Sequence, residues 1–408
     1  MKKTFVSILL LQALGASLVL LVNFYLLRLI GGASYLKIST GFAIFAMVNY
    51  FDFGLIGLIR RIAASPNYSE VEKINLVYSE NVSFFKKVAI YELLVAVFYL
   101  ILINFISIPI EIILSLIFAP LMIFVNTIRA YYEGRDKIFF SNVLRNIYGL
   151  SIVTSPFLSH YFTGNFLLFP CFIVINLSLI LIVFWIKKYR AIDKDSRVQL
   201  TFNANNTISI EMSFMWFGVF LLYFDRFFLR SVNSTDEAGQ YVFLIEIASR
   251  LSLIYVPLVL LFYPKIVEKY DKNILEIRNY IKKSELKIVG IMVSIAILVG
   301  LGLYSVLNIT AISTFIKRTL TDENMIQIMI LFLAFAINSS NYYKQRIISL
   351  YNIKRSVVIK NYGYVSILYL GFVLATYYTL GVNYLPLAIL LRIITENLFL
   401  RRILHGNV

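Results

Sequence analysis

Residues Phe5 to Leu27 read FVSILLLQALGASLVLLVNFYLL, an apolar stretch without a single charged side chain. About 20 such residues form a helix long enough to cross the hydrocarbon core of a bilayer. Lys2 and Lys3 in front of it imitate the start of a secretory leader. The stretch is too long for a leader, and no polar mature sequence follows a small-residue cleavage site, so we read it as an uncleaved first span.

The rest of the chain has the same character. Of its 408 residues, 60% are hydrophobic and only 15% charged, and the mean hydropathy is +0.80. A soluble domain is about a quarter charged, so that class is excluded. One cysteine, Cys171, excludes an internal disulfide framework. Two histidines, His160 and His405, leave little material for a metal centre, and none is expected. The composition predicts an all-α polytopic membrane protein.

Dividing the chain into spans and short loops predicts twelve transmembrane helices. They fall at 5–30, 38–62, 88–108, 110–133, 138–160 and 166–186, then 208–230, 241–263, 287–308, 325–350, 356–378 and 384–403. Pro109 is expected in a tight turn between the third and fourth spans, and a small interfacial helix at 309–324. Lysine and arginine accumulate in cytoplasmic loops. Twenty-two fall on the side that carries Lys2, Lys3, Arg401 and Arg402, against Lys37, Arg230, Lys317 and Arg318 on the other. Both termini are therefore expected in the cytoplasm, with the long loops 63–87, 187–206 and 264–286 on the same side. That distribution absorbs most of the net charge of +16, so the basic balance does not point to nucleic acid.

The layout repeats: an N-terminal lobe of six spans at 1–186, a cytoplasmic linker at 187–206, and a C-terminal lobe of six spans at 207–408. The first span ends Asn23-Phe24-Tyr25-Leu26-Leu27-Arg28, then Gly32 and Tyr35; the seventh ends Asp225-Arg226-Phe227-Phe228-Leu229-Arg230, then Gly239 and Tyr241. The connection Glu133-Gly134-Arg135-Asp136-Lys137 is similarly placed to Tyr351-Asn352-Ile353-Lys354-Arg355. Two six-span repeats in parallel orientation are a transporter architecture with a substrate path at their interface.

Ionisable residues at membrane depth are expensive and mark candidate sites. At helical spacing, Asn126, Arg129 and Glu133 share a face of the fourth span, and Asn142, Arg145, Asn146 and Gly149 a face of the fifth. Glu246, Ser249 and Arg250 line the eighth, and Asn338, Asn341, Tyr342 and Gln345 the tenth. Gln12 and Asn23 share a face of the first span, and Arg392 and Glu396 are four apart in the twelfth. The plainer reading of such i,i+4 pairs is a self-neutralising strut. Arg60, Arg61, Lys344, Arg346 and Lys360 lie near span ends and read as snorkelling side chains. Arg145, about two turns inside its span, has no acid on its own stripe. Guanidinium forks suit phosphate, so Arg28, Arg129, Arg145, Arg226 and Arg250 are the candidate anion-binding set, with Asn126, Asn142, Asn338, Asn341, Tyr342 and Gln345 as polar lining. Asp52, Asp225 and Glu246 are the candidate ion-coupling or gating carboxylates. Pro120, Pro156, Pro170 and Pro257 offer bends within spans. No phosphate-binding G-x-x-x-x-G-K-[ST] loop, nucleophile elbow or H-E-x-x-H motif occurs, so no catalytic residue and no enzyme activity is predicted.

Gly32-x-x-Tyr35 and the later Tyr50-Phe51-Asp52-Phe53-Gly54-Leu55 with Arg60-Arg61 resemble the first two helices of Wzx-type polysaccharide flippases, members of the multidrug/oligosaccharidyl-lipid/polysaccharide exporter superfamily. Tyr223-Phe224-Asp225-Arg226, Gly239-Gln240-Tyr241 and Phe262-Tyr263-Pro264-Lys265-Ile266 are similar to the start of that family's second lobe. Ala33-Ser34 stand where many relatives carry a second glycine. The resemblance covers essentially the whole chain and implies two six-helix lobes in a V around a cationic cavity. It implies an undecaprenyl-pyrophosphate-linked oligosaccharide as cargo, carried across the bacterial inner membrane by alternating access with a proton or sodium gradient and no bound cofactor. Partners implied are membrane lipids and the polymerase and chain-length proteins of the pathway for O-antigen, lipopolysaccharide or capsule. Asp52, Asp225 and Arg226 carry over from its motifs; the remaining arginines rest on the cavity argument.

Two other classes compete. A polymerase or lipid-dependent glycosyltransferase of the same pathway needs a large outward loop, and the outward loops here are short. A drug or small-solute exporter of a cationic cargo needs acid in excess, whereas arginine exceeds acid in these spans.

Overall fold

The computed structural model describes residues 2–48, 55–64, 69–102, 109–135, 137–189, 205–232, 235–252, 254–256, 258–259, 274–307, 322–348 and 355–407. Among them the regular structure is helical and no strand occurs. The helices are α1 (Lys2–Ile30), α2 (Gly32–Val48), α3 (Leu55–Ala64), α4 (Glu70–Leu102), α5 (Ile110–Phe118), α6 (Leu121–Gly134), α7 (Ile138–Thr163) and α8 (Phe169–Tyr189). They continue with α9 (Asn205–Val232), α10 (Asp236–Ser249), α11 (Ile274–Leu307), α12 (Asp322–Ile348), α13 (Arg355–Leu380) and α14 (Leu385–Asn407). Among the described residues, six helical stretches are long and apolar enough to cross a membrane: Leu10–Ile30, Ile110–Gly134, Asp236–Val256, Asn279–Gly302, Asn324–Gln345 and Ser356–Leu380. This is an all-α protein with the helices of a membrane protein.

Two stretches expected as loops are helical. Glu70 to Ser83 and beyond belongs to α4, and Ile274 onward to α11, so polar segments run without a break into the third and ninth predicted spans. The cause at α4 is a capping box. The Ser69 N–H donates to Glu72 Oε2 at 2.7 Å, and the Glu72 N–H donates to Ser69 Oγ at 3.3 Å. Two of the first-turn donors that a helix start leaves over are thereby satisfied. Other expectations lie outside the described residues: Asp52, the turn before Pro109, most of the linker 187–206, Pro257, the segment 309–321 and the run Tyr351–Lys354.

Contacts divide the chain into two compact units, Met1–Leu26 with Lys37–Ile208, and Leu27–Leu36 with Ser209–Val408. In the first unit, α3 and α6 pack around Ile59, Ile62, Ala63, Ile123, Ala130 and Tyr131, and α4 adds Ile74, Val77 and Phe84. Pro120 separates α5 from α6 through a turn, because its ring cannot continue the i→i−4 ladder. Pro156 is carried inside α7, and Pro170 sits in the first turn of α8, where its missing N–H is harmless.

In the second unit α12 packs on α14, α11 and α10, and α13 on α14. Both units end on the same local device. Gly164 closes α7 at φ +70° before a 3-10 turn at Phe166–Leu168, and α8 opens Phe169-Pro170. Gly381 follows α13 at φ +89° before a 3-10 turn at Val382–Tyr384, and α14 opens Leu385-Pro386. Positive φ is why glycine stands at both places.

Candidate functional site

The charged residues of α9 and α10 come together in the second unit. Asp225 and Arg226 are buried. Asp225 Oδ2 accepts the Tyr241 hydroxyl at 2.8 Å, and Oδ1 accepts the Arg226 backbone N–H at 2.9 Å. The Arg226 guanidinium lies over the Tyr223 ring, 4.9 Å from its centroid, and donates from Nη1 to Glu246 Oε1 at 2.6 Å. Arg250 Nη2 donates to the other oxygen of Glu246 at 3.3 Å. Two guanidiniums and two carboxylates thus form one neutral cluster. A buried charge survives only with such pairing. Tyr35 is fully buried beside it, edge-on to Phe243 at 6.0 Å, within electrostatic reach of Glu246, Arg226 and Arg250.

The first unit holds a cluster of different balance. Glu133, in the last turn of α6, accepts Arg60 Nη2 at 2.6 Å and Nε at 2.9 Å on Oε2. Its Oε1 accepts the Ser141 hydroxyl at 2.8 Å and lies 3.7 Å from Arg129 Nη2. Arg129 also donates to Asn126 Oδ1 at 2.7 Å, and Arg145 acts on it electrostatically. Arg60, read from the sequence as a snorkelling end residue, is therefore a partner of Glu133. Nearby on α7, Asn142 Oδ1 accepts Gln12 Nε2 at 2.7 Å, and Asn146 Nδ2 donates to the Leu11 carbonyl at 2.8 Å. These two contacts pin α1 to α7.

The polar stripe of α12 is spent on its neighbours. Asn341 Nδ2 donates to the Ile393 carbonyl at 3.0 Å, and its Oδ1 accepts Asn397 Nδ2 at 2.7 Å. Gln345 Nε2 donates to Glu396 Oε1 at 2.9 Å, which also accepts the Tyr362 hydroxyl at 2.7 Å. Asn338 Nδ2 donates to the Tyr255 hydroxyl at 3.3 Å, and Tyr342 packs against Tyr255 with ring centroids 5.7 Å apart. Arg392 does not serve Glu396: it donates to the Leu221 carbonyl at 2.8 Å and lies over Tyr369. Lys344, also expected to snorkel, is buried, 2.8 Å from Glu285 and donating to Ser340 Oγ and Asn397 Oδ1. Glu285 and Lys344 are too far apart in sequence for any periodicity to have joined them.

Of the remaining candidates, Arg28 is exposed in the last turn of α1. A groove of about 490 Å³ between α1 and α7 is apolar, lined by Leu21, Val22, Tyr25, Thr154, Phe157 and Leu158, none of them a candidate residue. Among the described residues, no three His, Cys, Asp or Glu side chains come together as metal ligands. No protein-family model, curated protein or solved structure matches this chain.

Proposed function

We propose that this protein is a flippase of the bacterial inner membrane that moves undecaprenyl-pyrophosphate-linked oligosaccharide repeat units between leaflets for surface polysaccharide synthesis. In this reading twelve spans form two six-helix lobes, both termini are cytoplasmic, and alternating access is driven by a proton or sodium gradient. The observation that carries it is the meeting of Arg60 and Arg129 at the carboxylate of Glu133, with Arg145 within electrostatic reach of Arg129. Three guanidiniums and one acid leave a cationic surplus among these four residues. A planar fork binds phosphate through paired hydrogen bonds. In this reading the cluster of Asp225, Arg226, Glu246 and Arg250 serves gating or ion coupling rather than cargo, because Glu246 already holds both guanidiniums. The repeated Gly, 3-10 turn and helix-Pro device at Gly164–Pro170 and Gly381–Pro386 supports the internal duplication.

The deciding experiment is genetic. A strain lacking this protein accumulates lipid-linked repeat units on the cytoplasmic face and loses surface polysaccharide. Normal surface polysaccharide in a strain without a redundant flippase contradicts the reading. Arg129→Ala or Arg145→Ala, at normal protein levels, reproduces the deletion; unaltered export makes these arginines structural.

A further inference from the structure

Glu133 occupies the place of an anionic ligand. Its Oε2 takes both Arg60 donors, Nη2 at 2.6 Å and Nε at 2.9 Å, while Oε1 takes the Ser141 hydroxyl (2.8 Å) and faces Arg129 (3.7 Å). A phosphate offers acceptor oxygens to the same guanidinium and hydroxyl donors. The carboxylate is also poorly placed by its own helix. It lies in the last turn of α6, one residue before Gly134, where the helix dipole disfavours an anion. It is therefore held there by side chains from α3 and α7. The ion pair is partly exposed, with 49% of the Arg60 side chain and 26% of Glu133 uncovered. Exchange in such a pair is cheap, unlike in the sealed pair of Arg226 and Glu246.

We propose that Glu133 is a built-in counter-ion that competes with the diphosphate group of a lipid-linked substrate for Arg60 and Arg129. The proposal rests on the flippase reading and adds Arg60 and Ser141 to its binding site. When the diphosphate enters, Glu133 leaves the fork and α3 loses one of its ties to α6. When the diphosphate leaves, Glu133 returns and keeps the arginines from holding other anions of the membrane surface. Loading thereby changes an ion pair between two helices, which links occupancy to their packing.

The test uses the full-length protein in nanodiscs of phosphatidylcholine and calorimetric titration with inorganic pyrophosphate at low salt. Glu133→Gln keeps the shape and removes the competing charge, so it tightens pyrophosphate binding about fivefold. Adding Arg60→Gln to Glu133→Gln abolishes that gain. Ser141→Ala, which loosens Glu133 while leaving the charge in place, tightens binding about twofold and covers the case in which Glu133→Gln misfolds. Binding that is unchanged or weaker in both Glu133→Gln and Ser141→Ala overturns the proposal. A competition arm separates the sources of phosphate. Polyprenyl diphosphate in the nanodisc displaces pyrophosphate, and phosphatidylglycerol at equal charge does not; equal displacement by both overturns the assignment to a diphosphate lipid. If binding ignores Glu133 while Arg129→Ala still blocks export, the counter-ion role falls and the flippase reading stands.

Discussion

Gly32 and Gly239 meet backbone against backbone in the second unit. A Cβ on Gly239 would fall on the carbonyl of Gly32, and one on Gly32 would fall on the backbone of Asp236. The Ala33 N–H donates to Asp236 Oδ1 at 3.0 Å across the same contact. The two glycine-tyrosine segments that echo each other in the sequence, one opening α2 and one near the start of α10, thus lie against each other, and each delivers its tyrosine to the interior. Tyr241 reaches Asp225 and Tyr35 packs on Phe243.

Gly239→Ala should therefore lower stability by about 1–3 kcal/mol, the usual cost of overpacking, because backbone and not a flexible side chain must move. Gly371→Ala, where nothing lies within 4 Å of an added Cβ, is the control. It should be neutral or stabilise by about 0.5–1 kcal/mol, as alanine does in a helix interior. Thermal unfolding in detergent compares the two.

The pair of Arg226 and Glu246 should show the behaviour of a sealed ion pair. Arg226→Met leaves Glu246 with only the longer contact to Arg250, and Glu246→Met leaves Arg226 without the carboxylate it donates to; each should cost about 3–5 kcal/mol. The double variant should cost clearly less than the two together, and strict additivity in a double-mutant cycle would show that the pair is not energetically coupled.

Lys344→Met should be far more damaging than Lys360→Met. The first strips Glu285, Ser340 and Asn397 of their shared cation; the second changes an exposed side chain and should stay within about 0.5 kcal/mol of wild type. Equal melting temperatures would return Lys344 to the snorkelling role its sequence position suggests.

The start of α4 should depend on pH. The Ser69 N–H, and then its hydroxyl, hold the Glu72 carboxyl below its ordinary value. The folded value is depressed, so the capping box contributes fully above the ordinary glutamate range and is lost as pH falls through the folded value. Hydrogen exchange at the amides of Glu70 to Lys73, corrected for intrinsic rates, should show that loss, and Glu72→Gln should remove it.

Much of the helical character was legible because it rests on local rules. The apolar run Phe5–Leu27 is α1, and the i,i+4 relation of Glu246 and Arg250 exists as read. Contacts over long sequence distances were not legible. Nothing in the spacing of Glu285 and Lys344, or of Arg60 and Glu133, joins them, since only the packing of α11 on α12 and of α3 on α6 does. The same limit explains Arg392 and Glu396. Four residues apart on one helix, they suggested a mutual pair, but the Leu221 carbonyl and the Tyr362 hydroxyl lie closer to hand. The polarity of 63–87 and 264–286 reads as loop, although in the first of them Ser69-x-x-Glu72 displays a helix cap openly.

The most direct measurement of the central claim is leaflet transfer by the purified protein. Vesicles carrying the protein and a labelled polyprenyl-diphosphate oligosaccharide are exposed to a membrane-impermeant pyrophosphatase, under an imposed proton or sodium gradient. The label should become fully accessible with wild-type protein and stay about half accessible with Arg129→Ala. Label that remains half accessible with folded wild-type protein under both gradients would contradict that claim.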